Sequence, residues 1–218
     1  MEIKVLKDIL AANESISREI HAVLSKHKVL AVNMMSSPGS GKTTILEKTI
    51  ESLSPELAAG VIAGDVATTR DAERLSRHTA KVVQIDTDVF GGKCHLEAQW
   101  IKKALQSFDL EELDILFIEN VGNLICPSGY NLGEDLKVLV LSVTEGEDKP
   151  AKYPAMFSIA HAVLVNKIDL LPHLEFDMTS LLSHLKAVAP GARVFPLSAR
   201  TGEGLVSWLD WLRTGAGG

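Results

Sequence analysis

A glycine-rich loop that contains a lysine sets the strongest limit on the fold of this chain. Residues 36–44 read Ser-Ser-Pro-Gly-Ser-Gly-Lys-Thr-Thr, after an apolar run at 29–35 and before a segment, 43–50, with apolar side chains at helical spacing. Gly39 and Gly41 lack a Cβ, so the backbone can curl and direct its N–H groups at phosphate oxygens. The order strand, loop, helix is the setting that this phosphate-binding motif requires. It predicts a nucleotide-binding α/β domain.

The loop assigns phosphate and magnesium contacts to particular side chains. Lys42 would reach the β- and γ-phosphates, and the Thr43 hydroxyl would hold Mg²⁺. Ser36 departs from the usual pattern, which has glycine there, so we expect a formed loop that begins slightly differently. The alternative is an ordinary Gly/Ser turn before a helix. The predicted nucleotide contacts of the loop are Pro38, Gly39, Ser40, Gly41, Lys42, Thr43 and Thr44.

A second motif, Asn-Lys-Ile-Asp at 166–169, follows another apolar run at 161–165. Ligands of open α/β sheets bind at the carboxyl ends of the strands. There, Asp169 would accept two hydrogen bonds from N1–H and N2–H of guanine, a donor pair that adenine lacks. The stem of Lys167 would lie over the base, and Asn166 would tie the motif to the phosphate loop. A four-residue match alone is weak, but the two motifs together predict GTP as the ligand.

A later segment, 193–199, runs from a predicted strand into a turn of small residues at Ser198 and Ala199. A backbone N–H near Ala199 would donate to guanine O6. The alternative is a plain loop between a strand and a helix.

The predicted strand at 113–119 ends in an acid, Glu119, with Gly122 three residues later. Most small GTPases carry Asp-x-x-Gly at this place. Gly122 has the freedom to place its N–H on the γ-phosphate, and Glu119 would orient Mg²⁺ through water. The glutamate resembles the branch of phosphate-loop proteins that includes the signal-recognition GTPases and the nitrogenase iron-protein ATPases. Members of that branch commonly work as nucleotide-dependent dimers.

Further charged residues follow the apolar run at 60–64. Asp65 ends this predicted strand at the same edge of the sheet, which makes it a candidate for Mg²⁺ or for water. Asp71 is a second candidate for aligning the attacking water, and Arg70 would meet phosphate charge. Phosphoryl transfer requires mostly positioning and charge neutralisation, so these roles suffice. The alternative is a solvated loop with ordinary charges.

The chain has 2 cysteines, and both fall beside the nucleotide motifs: Cys94, followed by His95, and Cys126. A structural disulfide is not expected in an intracellular fold. Two thiolates and one imidazole suit Zn²⁺ or Ni²⁺, but three ligands leave a tetrahedral site incomplete. Two such sets across a two-fold axis would complete one and couple metal binding to dimerisation. The alternative is two inert buried cysteines and a surface histidine.

Composition limits the function classes. A chain of 218 residues with 46% hydrophobic and 23% charged residues fits one globular α/β domain. A net charge of −6 argues against a general nucleic-acid binder. No membrane span and no signal peptide are visible, so we expect a cytoplasmic protein. Alternating strands and helices predict a mainly parallel sheet with helices on both faces. We divide the chain into a helical segment at 1–28, a nucleotide-binding domain at 29–213 and a frayed tail at 214–218.

Taken together, the motifs closely resemble the HypB type of hydrogenase and urease nickel-incorporation GTPases. The most specific blocks are Gly-Lys-Cys-His-Leu at 92–96 and Glu-Asn-Val-Gly-Asn-Leu-Ile-Cys-Pro at 119–127. The resemblance also rests on 38–43, 64–66 and 166–169, and it spans nearly the whole chain. It implies a GTPase that dimerises with GTP and helps to insert nickel into a [NiFe]-hydrogenase large subunit precursor. It also implies that Ni²⁺ or Zn²⁺ binds at the dimer interface through Cys94, His95 and Cys126.

Two departures from that family limit what carries over. Residues 1–20 contain neither Cys nor His, so the N-terminal nickel motif or His-rich tract of some relatives is missing. The segment at 5–13 is similar to the one that docks the partner nickel chaperone of the HypA type; the alternative is an amphipathic helix packed on its own domain. Two other functions stay open: a urease-type nickel accessory GTPase, and a GTP-regulated docking switch with little turnover. A storage role is disfavoured by the absence of His- or Cys-rich tracts.

Overall fold

The computed structural model describes residues 2–54, 56–65, 70–79, 81–88 and 94–216, with side chains from residue 10 to residue 215 within those ranges. Parts of two predicted motifs, residues 66 and 92–93, lie outside the described residues. Buried apolar runs form seven strands, as β-branched and other apolar residues favour on a covered sheet. The strands are β1 Leu30–Ser36, β2 Ala59–Asp65, β3 Val82–Asp86, β4 Ile115–Glu119, β5 Leu136–Ser142, β6 Ala162–Asn166 and β7 Arg193–Pro196.

The strands form one sheet in the order β3-β2-β4-β1-β5-β6-β7, and every neighbouring pair is parallel. This confirms the predicted α/β fold. The register places Met34 opposite Glu119 and Ser142 opposite Asn166. The carboxyl ends of β1, β4, β5 and β6 therefore meet at one edge, where both nucleotide motifs emerge.

Eight α-helices connect and cover the strands in the described part of the chain. On one face, α2 and α8 pack over Val32 and Met34 of β1. On the other face, α1 and α4 pack near Ala31, and α6 and α7 near Met35, because successive strand residues point to opposite sides. The helices are α1 Glu2–Lys26, α2 Lys42–Leu53, α3 Arg70–Leu75, α4 Ala98–Leu105, α5 Lys149–Lys152, α6 Pro154–Ser158, α7 Met178–Val188 and α8 Leu205–Ala216.

The two ends of the chain refine the sequence-based division. The N-terminal segment is a single helix, α1, which ends before Lys28 in the left-handed conformation at φ 58°. At the other end, α8 continues to Ala216, so residues 214–216 are helical where a frayed tail was predicted. Packing of Trp211 and Leu212 against the domain carries the helix to this point. No helix in the described ranges has the length and apolar character that crossing a membrane demands.

Candidate functional site

The phosphate loop encloses a cavity of about 470 Å³ at the carboxyl edge of the sheet. Gly39 and Gly41 adopt φ values of 75° and 93°, a conformation in which any side chain would be strained. Ser36 is the buried last residue of β1 and has no positive φ, which is why a serine fits where the usual motif has glycine. Besides the loop itself, the lining includes Thr44, Gly64, Asp65, Asp71, Arg74, Glu119, Val121 and Gly122.

Glu119 lies at the bottom of this cavity. Its Oε1 accepts a hydrogen bond from Thr43 Oγ1 at 2.7 Å and is 3.7 Å from Lys42 Nζ. Its Oε2 is buried and has no hydrogen-bond partner among the described residues. Burial raises the pKa of the Glu119 carboxyl, while the Lys42 ammonium and the Thr43 hydrogen bond oppose the rise. A buried carboxylate with one open oxygen beside a hydroxyl fits the oxygen donors that Mg²⁺ prefers.

Arg74 is a charged residue of the cavity that was not predicted from the sequence. Its Nη2 lies 2.6 Å from Glu47 Oε2 and 3.1 Å from Thr44 Oγ1, and its Nη1 lies 3.4 Å from Asp71 Oδ1. The hydrogen bond with Glu47 raises the pKa of the guanidinium. Arg70, which was predicted to meet phosphate, is exposed and is not part of the cavity lining. The signal was available, because residues three apart on a helix, here Asp71 and Arg74, share a face.

A smaller pocket of about 230 Å³ adjoins the phosphate loop. Asn166 Nδ2 donates to the Ser40 carbonyl at 2.8 Å, and Lys167 Nζ donates to the Gly39 carbonyl at 2.7 Å. Both side chains thus tie the second motif to the loop, and Asn166 makes the contact that the sequence predicted. The lining consists of Gly41, Thr44, Asn166, Lys167, Asp169, Leu170, Ala199 and Arg200.

Asp169 is held in this pocket by two side chains. Ser198 Oγ donates to Asp169 Oδ1 at 2.6 Å, and Arg200 Nη1 lies 3.6 Å from Asp169 Oδ2. The N–H of Ala199 itself donates to Asn166 Oδ1 at 3.1 Å, so the predicted donor to guanine O6 near Ala199 would be a neighbouring N–H. Ser198 therefore orients the carboxylate, and Ala199 braces the asparagine.

Cys94, His95 and Cys126 meet near the phosphate cavity: one ligand atom from each lies within 4.8 Å of the other two. Both cysteines are free thiols. The hydrogen bond with Cys94 and, second, burial raise the pKa of the Cys126 thiol. Because a metal replaces the thiol proton, two sulfurs and one imidazole in contact form a donor set suited to Zn²⁺ or Ni²⁺.

The residues around this cluster fix its geometry and were not found from the sequence. Asn123 Oδ1 accepts the Cys126 N–H at 2.9 Å and the Ile125 N–H at 2.7 Å. The ring of Tyr130 stacks on His95 with centroids 4.0 Å apart, and Glu97 Oε1 lies 3.8 Å from His95 Nε2. Such outer contacts orient ligands in metal sites.

Comparison with known proteins places these features in context. The family described as "CobW/HypB/UreG, nucleotide-binding domain" matches residues 30–196. The hydrogenase maturation factor HypB of Escherichia coli K12 is 45% identical over 207 residues, which cover 95% of this chain and 70% of that protein. The crystal structure of HypB from Archaeoglobus fulgidus matches with a TM-score of 0.87 at 37% identity, over 94% of this chain and 99% of that one. HypB from Helicobacter pylori, solved in complex with nickel, matches with the same score and identity, over 94% and 95% of the two chains.

Proposed function

The chain belongs to the HypB family of hydrogenase maturation factors, and we propose that it hydrolyses GTP and carries nickel for insertion into [NiFe]-hydrogenase. The observation that carries the proposal is the segment 119–126. It begins with the acid of the phosphate cavity, Glu119, and ends with a thiol of the metal cluster, Cys126. One short stretch of chain thus serves a nucleotide site and a metal site.

The pocket around Asp169 supports guanine as the base. A half-buried carboxylate held by Ser198 accepts hydrogen bonds only, which suits the N1–H and N2–H pair of guanine. Adenine presents an acceptor at N1, which would face the carboxylate with no hydrogen between the two. An acceptor covered by a ligand without a donor is costly, so ATP is disfavoured.

The lining of the phosphate cavity supports hydrolysis. A water attacks the γ-phosphorus in line, the bond to the bridging oxygen of GDP breaks, and phosphate leaves. Asp65 and Asp71 line the cavity and would orient this water, and Lys42 would neutralise the transferred group. Thr43 and Glu119 would hold Mg²⁺, which when bound supplies further positive charge for the phosphates. Gly122 stands next to Pro38 of the loop, where its N–H would meet the γ-phosphate.

The metal is the cargo in this proposal. Cys94, His95 and Cys126 supply three donors, so a second copy of the chain would complete a tetrahedral site at a dimer interface. GTP would favour this dimer, and hydrolysis would release it. The other proposed partners are a nickel chaperone of the HypA type, docked by residues 5–13, and the hydrogenase large subunit precursor.

The first test is a hydrolysis assay with Mg²⁺ and GTP or ATP. Loss of Lys42 in Lys42→Ala should reduce GTP turnover at least about 100-fold, as removal of one group that stabilises developing charge commonly does. ATP should be a poor substrate. Arg18→Ala, on an exposed face of α1, is the matched control and should retain full turnover. No turnover by the wild-type protein would favour the docking switch instead.

The second test measures mass in solution by size exclusion with light scattering. The protein is run with GDP or with a non-hydrolysable GTP analogue, each with and without Ni²⁺ or Zn²⁺. We expect a GTP-dependent dimer that holds about one to two metal ions, with the metal lost in Cys94→Ala. A monomer in every state, with metal binding unaffected by the substitution, contradicts the interface site. Delivery to hydrogenase rather than urease is tested by nickel incorporation into each apo-enzyme.

A further inference from the structure

Asn120 contacts both sites from a buried position. It follows Glu119, is 1% exposed, and its main-chain carbonyl accepts a hydrogen bond from Lys42 Nζ at 2.6 Å. Its side-chain Oδ1 accepts the N–H of Leu96 at 3.3 Å and that of Val121 at 2.9 Å. Leu96 directly follows His95 of the metal cluster. One residue therefore joins the phosphate-binding lysine to the segment 94–96, which carries Cys94 and His95 and is called the Cys94–His95 arm below.

The arm is held at Leu96 from a second side as well. Leu96 is fully buried, and a Cβ placed on Gly64 would come within 2.8 Å of its side chain. Gly64 and its neighbour Asp65 line the phosphate cavity. The hydrogen bond to Asn120 and the packing against Gly64 thus connect Leu96 to residues beside the nucleotide site. A shift of Asn120 would move Leu96 and, with it, the preceding residue His95.

A chain of side-chain amides fixes which way Asn120 points. Asn120 Nδ2 donates to Asn33 Oδ1 at 3.3 Å, and Asn33 Nδ2 donates to Glu134 Oε1 at 3.0 Å. The other contacts of the Glu134 carboxylate are the Leu132 N–H at 2.6 Å and Lys137 Nζ at 3.4 Å. Every partner of Glu134 is a donor, so Asn33 must turn its NH₂ toward it. Asn120 must then turn its own NH₂ toward Asn33 and its oxygen toward Leu96.

Nucleotide binding changes one end of this arrangement. Phosphate oxygens would draw Lys42 away from the Asn120 carbonyl, because an ammonium prefers an anionic partner. We propose that Asn120 is a positioning residue that couples the phosphate cavity to the Cys94–His95 arm, so that the state of the nucleotide changes metal affinity. This inference rests on the proposed function, since it presumes that both sites are used.

The chain of amides predicts a compensating pair of substitutions. In Asn120→Asp, the new carboxylate faces Asn33 Oδ1, so two acceptors oppose each other. If the Asn33 amide rotates by 180°, its oxygen opposes the Glu134 carboxylate instead. Adding Glu134→Gln restores agreement within the chain of amides: the amide introduced by Glu134→Gln donates to Asn33, and Asn33 donates to the new carboxylate, which still accepts the Leu96 N–H. Lys137 loses its ion pair with Glu134 in both variants that carry Glu134→Gln, but it keeps its hydrogen bond to Asn131 Oδ1. The double variant should therefore behave more like wild type than either single variant. Gln106→Glu, at the exposed residue that follows α4, adds the same charge as a control.

The test measures Zn²⁺ affinity by competition with a chelator, with GDP and with a non-hydrolysable GTP analogue. The dissociation constants for Zn²⁺ with GDP and with the GTP analogue should differ by at least about fivefold in wild type and in Gln106→Glu. Their ratio should fall below about twofold in Asn120→Asp and recover in the double variant. The melting temperature of the metal-free protein should follow the same pattern, with a loss of roughly 4 °C in each single variant.

Three results would overturn the inference. An Asn120→Asp protein that melts earlier but retains the wild-type ratio would make Asn120 a packing residue only. A double variant no better than the single ones would contradict the chain of amides. A wild-type ratio of one would show that the sites are uncoupled, and the GTP hydrolysis and mass measurements would still decide the proposed function separately.

Discussion

The side chain of Asp169 is placed for a base before any base arrives. Ser198 donates to one of its oxygens at 2.6 Å, and Asn166 is bound to the phosphate loop through Ser40. Little side-chain freedom would remain to be lost on binding of the proposed guanine, and this would lower the entropic cost of recognition. A nucleotide pocket formed in advance in this way should discriminate bases by hydrogen bonding.

Replacing Asp169 by Asn should therefore change the base that is preferred. The amide donates where the carboxylate accepted, so two charge-assisted hydrogen bonds to guanine are lost, worth about 3 kcal/mol or roughly 100-fold in Kd. Xanthine carries a carbonyl in place of the exocyclic amine and should bind more tightly than before. Titration with fluorescent GTP and XTP measures both effects.

Arg200→Gln is the matched control for this prediction. The arginine side chain is 82% exposed, so its ion pair with Asp169 is screened and its loss should change GTP affinity by no more than about threefold. An Asp169→Asn protein with unchanged preference for GTP would contradict the role of the carboxylate.

For single residues, the sequence predicted the side-chain contact where a motif determines the local backbone conformation. Asn166 makes its predicted contact because its place after a strand determines where it points. Arg70 lies outside the cavity lining, because it is on the exposed side of α3 while Asp71 and Arg74 line the cavity. The place of Arg74 in the cavity could have been predicted from its spacing to Asp71, but its ion pair with Glu47 could not, because the two residues are 27 positions apart and no local pattern reports such a pair.

Helix α1 is joined to the domain by a nearly buried polar residue, Asn13, as well as by apolar side chains. Asn13 is 8% exposed; its Oδ1 accepts the Ala98 N–H at the start of α4 at 2.8 Å, and its Nδ2 donates to the Asn131 carbonyl at 2.7 Å. Ile20 and Leu24 on the same helix bury their side chains against the sheet. These apolar side chains attach α1 to the sheet, and the two hydrogen bonds of Asn13 set the position of the helix along the domain.

Asn13→Ala should leave the Ala98 N–H and the Asn131 carbonyl buried without partners. The free energy of unfolding should fall by about 1–3 kcal/mol for such unpaired groups, measured by urea denaturation. Hydrogen exchange should increase in α1 before it increases in the central strands. Arg18→Ala removes an exposed side chain on the same helix, and equal effects of the two substitutions would contradict this role.

The sequence predicted the strands better than the helices. Five strands, β1, β2, β4, β6 and β7, were predicted within a residue or two, because each is a short apolar run next to a motif; β3 and β5 carry no motif and were not predicted individually. The N-terminal segment was expected as one or two helices, because its periodicity does not report that the sheet supports a single helix of 25 residues. The start of α4, where Asn13 binds, depends on a contact between residues 85 apart in sequence.

For the whole molecule, nucleotide binding and stability are linked. The phosphate loop, β4 and the β6 motif belong to three parts of one sheet, so a ligand that contacts all three should stabilise the native state as a whole. With Mg²⁺ and GDP at 100 times Kd, we expect a gain of about 2.7 kcal/mol. That gain corresponds to a rise in melting temperature of roughly 5–11 °C.

Differential scanning calorimetry with GDP and with ADP measures this effect. ADP should give a much smaller rise, and GDP should lose its effect on Asp169→Asn at the same concentration. A rise of equal size with both nucleotides would contradict selection by the base. A broad transition with GDP, split into two steps, would contradict the single cooperative unit that the shared sheet implies.

The bond between Asn13 and Asn131 also has a consequence for the order of events on the ribosome. The two residues are 118 positions apart, which at about 5–20 residues per second corresponds to roughly 6–24 s of synthesis. During that time the strands and the loop that cover Ile20 and Leu24 are still being made. In a nascent chain, the uncovered apolar face of such an amphipathic helix can be bound by a holding chaperone. The helix that is translated before its partners is thus among the last elements to reach its place.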